Sequence, residues 1–222
     1  SGGLGSGFGG GRRLFRKGVA QTVARGREVV EKLLQREGRT ALKLDDLASQ
    51  LGFSNAEALF VAAAGKAIAA AGLTGSEIDT VVTVCSTGIA TPTLEARVAG
   101  KLGLRPDVSR VPVFGLGCAG GVSGLSIAAR LAQARPGTNV LLVALELCTL
   151  AVRHDELTKA NIVAASLFGD GAAALVLRAG DGGATRIEAS GEKLWPDTLD
   201  IMGWTVDPEG FGVVFQRTIP DF

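Results

Sequence analysis

The sequence predicts an α/β fold with a largely parallel sheet covered by helices on both faces. Two observations carry this. The aliphatic and β-branched runs, such as "TVVTV" from Thr80 and "VLLVAL" from Val140, are apolar on consecutive residues rather than on alternate ones. Strands of that kind are buried on both faces, as strands of a helix-covered parallel sheet are. The segments between the runs have helical spacing, and glycines mark most of the boundaries.

Each element follows from local pattern. Residues 1–11 are a glycine- and serine-rich leader. Residues 12–65 read as helical: Val19, Val23, Val30, Leu33 and Leu34 share one helical face, and Gly38 supplies a stop. "LDDLASQLGF" (44–53) predicts a short second helix ended by Gly52. Ser54 with Glu57 then forms a capping box that launches an alanine-rich helix to about Ala71. After the turn residues of 72–79, "TVVTVC" (80–85) predicts a buried strand. Thr91 as N-cap, Pro92 at the first helical position and Gly103 as terminator predict the next helix. "RVPVFG" (110–115) is strand-like, and 120–134 predicts a helix with Val122, Leu125, Ile127 and Leu131 toward the core. Residues 139–147 predict a buried strand, 159–168 a helix, and 171–179 and 210–217 two further strands.

Composition narrows the function classes. A chain of 222 residues that is 46% hydrophobic and 20% charged belongs with folded globular proteins, not with disordered ones. A formal net charge of +1 gives no electrostatic reason to expect nucleic acid or a membrane surface, and Arg12, Arg13, Arg16 and Lys17 read as a solvated tail. No apolar stretch reaches the roughly 20 residues of a membrane helix, and the start has no signal-peptide core. Three cysteines cannot all pair within one chain; none forms a CxxC motif, and the single histidine, His154, leaves no metal-ligand set. Reduced thiols in a cytoplasmic protein are expected.

Cys118 stands apart from Cys85 and Cys148. Those two lie in or beside apolar strands, where packing is the better reading. Cys118 sits in "FGLGCAGGVSG" (114–124), between a strand and a helix that starts near Gly120. Glycines serve a tight strand-to-helix turn and allow close approach of the backbone to a ligand. The free N–H groups at the helix start favour a thiolate and can hold a developing oxyanion. Two readings stay open on pattern alone: a small buried thiol filling space between packed elements, or a nucleophile for acyl groups.

A longer set of motifs bears on that choice. "STGIATPTLEARVAGKLGLRPDVSRVPVFGLGCAGG", "LLVALELCTL", "SLFGDGAAALVL", "LDIMGW" and "GVVFQRTIP" follow one another across 66–222. In this order they resemble the type III polyketide synthases, the chalcone synthase-like enzymes of the thiolase fold. The resemblance implies a layered thiolase-like fold, N-terminal half only, preceded by the helical segment of 12–65. It implies that Cys118 is the nucleophile that accepts an acyl group from coenzyme A. Decarboxylative condensation with malonyl-CoA then extends that group, with no cofactor beyond the coenzyme A thioesters. Phe168 corresponds to the family's gating phenylalanine between the coenzyme A tunnel and the acylated cysteine. Ser86, Thr87, Cys148, Leu150 and Ala151 match cavity positions, and Thr91 falls near the dimer contact. The implied partners are acyl-CoA, malonyl-CoA, and either a second copy of the chain or a missing C-terminal half. Residues 12–65 themselves resemble a helical segment of the long bacterial (p)ppGpp synthetase/hydrolase proteins.

The resemblance also implies a catalytic histidine and asparagine, both in the second half of the thiolase fold. His154 in "VRHDELTK" does not match the first, and Asn55, Asn139 and Asn161 do not match the second. Condensation by residues 1–222 alone is therefore not expected. Two alternatives accompany this reading: a condensing enzyme like the third type of ketoacyl synthase, using an acyl carrier protein, or a non-catalytic fusion or regulatory fragment.

Overall fold

The apolar runs pair into one sheet in a computed structural model that describes residues 44–151, 158–180, 185–207, 210–216 and 218–219. Strands β1 (Thr80–Val84), β2 (Ser109–Val113) and β3 (Asn139–Glu146) are parallel, and β4 (Gly171–Arg178) lies antiparallel to β3, in the order β2-β1-β3-β4. The direction of β4 follows from its connection. Glu146 at the end of β3 pairs with Gly171 at the start of β4, so the chain leaves and re-enters at the same end of the sheet and must run back. Pro112, which cannot donate to a ladder, lies in the edge strand β2, where its missing N–H matters least.

The chain divides into two compact units, Ser1–Leu47 and Ala48–Phe222. The leader, the helix expected over Val19–Arg36 and His154 lie outside the described residues. Helix α1 spans Leu44–Ala70.

Helix α1 corrects one expectation. The short helix of 44–53 and the alanine-rich helix from Ser54 are one continuous element, so neither Gly52 ends a helix nor Ser54 caps one. A glycine inside a helix costs only about 1 kcal/mol relative to alanine, and the long alanine-rich run on either side carries the helix through it. Glu57, expected to close the capping box, instead meets Lys101 Nζ at 2.7 Å. A Thr–Glu pair of the same spacing closes the next turn: Thr74 donates its N–H and its hydroxyl to Glu77 Oε2, at 2.8 and 2.9 Å.

Helix α2 (Leu94–Leu102) begins two residues later than Thr91–Pro92 suggested. Thr93 is the N-cap, because its carbonyl accepts the first helical N–H groups, those of Ala96 and Arg97. The Thr91–Pro92 bond is cis and precedes the helix. Gly103 ends α2 as expected, in the left-handed conformation with φ 66°.

Helices cover both faces of the sheet. On one, Ala56, Phe60, Ala64 and Ile68 of α1 and Leu94 and Val98 of α2 pack on Val81, Leu141, Val143 and Leu145. On the other, Ala128 and Ala132 of α3 (Gly120–Ala134) pack on Val82, Val84, Val140 and Leu142. The strands thus send alternate side chains to opposite cores, which is why their runs read as continuously apolar.

Helix α3 has the predicted bounds, and Leu125, Ile127 and Leu131 pack against the core as expected, whereas Val122 does not. Val122 is 71% exposed, while Leu125, Ile127 and Leu131 are only partly buried. The buried stripe is made of Gly120, Ser123, Gly124, Ser126, Ala128 and Ala132. The helix lies so close to the sheet that only small side chains fit beneath it. A Cβ on Gly124 would stand 2.5 Å from Val84 Cγ2 and 3.0 Å from Leu142 Cδ1, and one on Gly120 would stand 2.7 Å from Val84 Cγ1.

Two elements complete the unit. Helix α4 (Lys159–Leu167) is capped by the Thr158 side chain, which accepts the Asn161 N–H at 3.2 Å. Strands β5 (Met202–Asp207) and β6 (Gly210–Phe215) form a separate antiparallel hairpin. The expected final strand is β6. Its partner β5 lies outside the expected elements, although Met202, Trp204 and Val206 alternate with Gly203, Thr205 and Asp207 as a half-buried strand does.

The close approach of α3 gives a stability prediction. Gly124→Ala should lower unfolding stability in a denaturant melt by about 1–2 kcal/mol, overpacking outweighing the gain in helix propensity. Adding Val84→Ala should recover part of that loss, and a fully additive double variant would contradict the contact.

Candidate active site

Strands β1, β2 and β3 all point their C-terminal ends to one side of the sheet, and β4 starts there. The segments leaving those ends therefore converge at one place, where ligands bind in open α/β sheets. These are residues 85–93 after β1, 114–119 after β2, 147–151 after β3 and 168–170 before β4. Nearly every residue singled out from the sequence lies on one of them.

Cys118 is exposed in a short 3-10 turn, Gly117–Ala119, that runs directly into α3 at Gly120. The turn requires its glycines: Gly115 has φ 86° and Gly117 has φ 54°, where a side chain is strained. Cys118 is thus not the buried space-filler that one reading of the pattern allowed; its thiol is open to solvent beside the start of a fifteen-residue helix.

Ser86 and Thr87 lie beneath this turn. They are 3% and 7% exposed, and their polar groups are engaged with the protein itself. Ser86 Oγ accepts the Gly117 N–H at 2.9 Å. Ser86 N–H donates to both carboxylate oxygens of Glu146, at 2.9 and 3.1 Å. Thr87 donates its N–H and its hydroxyl to Glu146 Oε2, at 3.0 and 2.7 Å, and its hydroxyl accepts the Leu147 N–H at 2.8 Å. Glu146 is the site residue that the sequence reading missed. Its signal was present: it is the one charged residue in the apolar run from Val140 to Leu147.

The other two thiols are set apart from Cys118 by their surroundings. Cys85 and Cys148 are partly buried, and burial is the main cause that pushes both thiols up. The Glu146 carboxylate adds to this at each, and Asp170 and Cys118 add to it at Cys148. Cys148 is therefore within electrostatic reach of Cys118, and the Gly169 backbone opposes the upward push. Thr149 holds the same loop, donating its N–H and hydroxyl to the two oxygens of Asp170 at 2.8 and 2.6 Å.

Phe168 follows α4 and packs edge-on against Trp204 of β5 and Phe215 of β6, with ring centroids 6.3 and 6.2 Å apart. Phe211 continues the cluster, 5.9 Å from Trp204. Leu150 is half exposed, and Ala151 ends the short turn that carries Cys148. Thr91 lies apart from this group, on the exposed outer part of the loop between β1 and α2. Among the described residues no cluster of His, Cys, Asp and Glu is suited to a metal ion.

Known proteins share this arrangement. The 1,3,6,8-tetrahydroxynaphthalene synthase of Streptomyces peucetius subsp. caesius is 45% identical over 160 residues, covering 70% of this chain and 42% of its own. A putative chalcone synthase of Bacillus subtilis (strain 168) is 41% identical over 155 residues, covering 65% of this chain and 42% of its own. The crystal structure of 1,3,6,8-tetrahydroxynaphthalene synthase from Streptomyces coelicolor A3(2), a bacterial type III polyketide synthase, superposes with a TM-score of 0.75 at 30% identity. That match covers 79% of this chain and 51% of the solved one. The chain thus spans about two-fifths of the length of the curated relatives it matches. The family model for the N-terminal domain of chalcone and stilbene synthases matches residues 18–181. The chain belongs to that family, the type III polyketide synthases, and carries its N-terminal domain.

Proposed function

We propose that this chain supplies the acyl-accepting half of a type III polyketide synthase centre, with Cys118 as the nucleophile. The observation that carries the reading is the placement of Cys118. It is the one exposed thiol among the three, on a glycine-shaped turn at the strand ends where the other candidate residues gather. In the proposed step the Cys118 thiolate attacks the carbonyl of an acyl-CoA. A new C–S bond forms, the C–S bond to coenzyme A breaks, and the coenzyme A thiolate leaves and takes up the proton. N–H groups at the start of α3 are available to hold the oxyanion in between.

The further parts of the reading follow from the same end of the sheet. Cys148, Leu150, Ala151, Ser86 and Thr87 form the floor and wall of an acyl cavity, and Phe168 with its aromatic neighbours stands at its mouth. Condensation with malonyl-CoA requires a histidine and an asparagine that match no motif of this sequence, so they come from a C-terminal half. That half covers the exposed Ile89, Leu116, Val122 and Leu150. Thr91 lies at a contact with a second copy. Three free thiols fit a reducing, cytoplasmic setting, and no helix among the described residues is long and apolar enough to cross a membrane.

Intact mass after incubation with a panel of acyl-CoAs tests the central step. The expected result is a gain of one acyl group that Cys118→Ser abolishes, with no polyketide product from malonyl-CoA. Absence of any gain with every donor would leave the non-catalytic fragment as the better reading. A product from malonyl-CoA would show that no second half is needed.

Thiol titration supplies a second check. Iodoacetamide should label exposed Cys118 first at neutral pH. Cys85 and Cys148 should follow only as the pH rises, since burial and the Glu146 carboxylate hold both in the protonated form. Labelling of Cys85 or Cys148 ahead of Cys118 near pH 7 would contradict this geometry.

A further inference from the structure

The turn that carries Cys118 has no cap of its own. Leu116 precedes it and offers no side-chain hydrogen bond, and Gly117 opens it with a backbone N–H that needs a partner. That partner comes from the loop after β1: Ser86, thirty-one residues earlier in the chain, accepts the Gly117 N–H at 2.9 Å. Ser86 is itself immobilised. Its N–H donates to both oxygens of Glu146, and Thr87 beside it adds two more hydrogen bonds to the same carboxylate. Thr87 then accepts the Leu147 N–H, so the loop after β1 is pinned to the end of β3 on both sides of Glu146.

We propose that Ser86 is a positioning residue for Cys118 and that Glu146 sets Ser86 in place. The inference rests on the reading of Cys118 as an acyl acceptor, and it gives Ser86 and Thr87 a role beyond lining a cavity. A relay of this kind has a clear physical purpose. The residues from Gly115 to Ala119 are all exposed, and two of them are glycines, so the turn has little packing to hold it. One hydrogen bond at its first residue sets where the 3-10 turn starts, and thereby where the thiol lies relative to the first N–H groups of α3. Ser86 is 3% exposed, so water does not replace its hydroxyl readily. A carboxylate suits the base of the relay because it only accepts hydrogen bonds, and it receives charge-assisted bonds from the loop it holds.

The test uses the 222-residue chain and three variants, Ser86→Ala, Ser86→Thr and Glu146→Gln, with acetyl-CoA and iodoacetamide as probes of Cys118. In the unmodified chain the Gly117 amide should exchange slowly with solvent. In Ser86→Ala it should exchange several-fold faster, as loss of one hydrogen bond implies. Acetylation and alkylation of Cys118 should slow by roughly tenfold, the scale expected when a reacting group is displaced by a fraction of an ångström. Labelling of Cys85 and Cys148 should stay unchanged, whereas general loosening of the fold would expose both. Ser86→Thr, which keeps the hydroxyl, should restore the rate; Glu146→Gln, which places an amide donor against N–H groups, should act in the same direction as Ser86→Ala.

Two results would overturn the proposal: rapid exchange of the Gly117 amide in the unmodified chain, or a Cys118 rate in Ser86→Ala equal to the original. The outcome is distinct from failure of the functional reading. If acetyl-CoA never loads Cys118, the acyl-acceptor reading falls, while the iodoacetamide and exchange measurements still decide whether Ser86 positions the turn.

Discussion

Most of this structure depends on how closely α3 approaches the sheet at Val84. Gly120 and Gly124 are four residues apart and so lie on the same side of the helix, the side toward β1. With no Cβ at either position the helix backbone settles against the valine methyl groups, closer than a pair of ordinary side chains would permit. The first turn of α3 is thereby drawn to the end of β1, and the Gly117–Ala119 turn that feeds it is drawn there too. A larger residue on this face would lift the helix and move Cys118 away from the loop after β1. Ala128 and Ala132 continue the same contact along the sheet.

The second constraint is electrostatic. Glu146 ends an otherwise apolar strand, where an uncompensated carboxylate would be costly. The loop after β1 compensates it, with two backbone N–H groups and one hydroxyl turned toward it. Burial is the main cause that pushes the Cys85 and Cys148 thiols up, and the same negative charge adds to it. One side chain thus organises the loop and reinforces the effect of burial on two of the cysteines.

Strand direction explains why these features meet. Three parallel strands end on one side, and the β3–β4 connection returns to that side, so four loops share a small region. At the opposite end the arrangement serves stability. There Asp79 accepts the Asn139 N–H at 2.8 Å and an Arg105 N–H at 3.0 Å, and its backbone also joins Asn139 and Ser109. The hydrogen bond from Asn139 is the main cause that holds the Asp79 carboxyl below its ordinary range. One end of the sheet is stapled, and the other is left to glycine turns and exposed side chains.

The sequence by itself determined the elements whose signals are local. Consecutive apolar runs gave β1, β3 and the parallel character of the sheet, Gly103 gave the end of α2, and the glycines around Cys118 gave a strand-to-helix turn. The ordered motifs gave the family. Tertiary structure decided what depends on contacts between distant residues. Gly52 and Ser54 have the local appearance of helix boundaries, yet α1 runs through them. Val122 fits a core position by periodicity, yet it is exposed, and the helix meets Val84 through Gly120 and Gly124, where the sheet lies too close for a side chain. Strand β5 alternates over only six residues, and its antiparallel pairing with β6 is what fixes it. Glu146 and Ser86, sixty residues apart, become one hydrogen-bonded unit only because β1 and β3 are neighbours in register. Local propensity acts over a few residues, and register, direction and distance of approach are set by what packs on the other side.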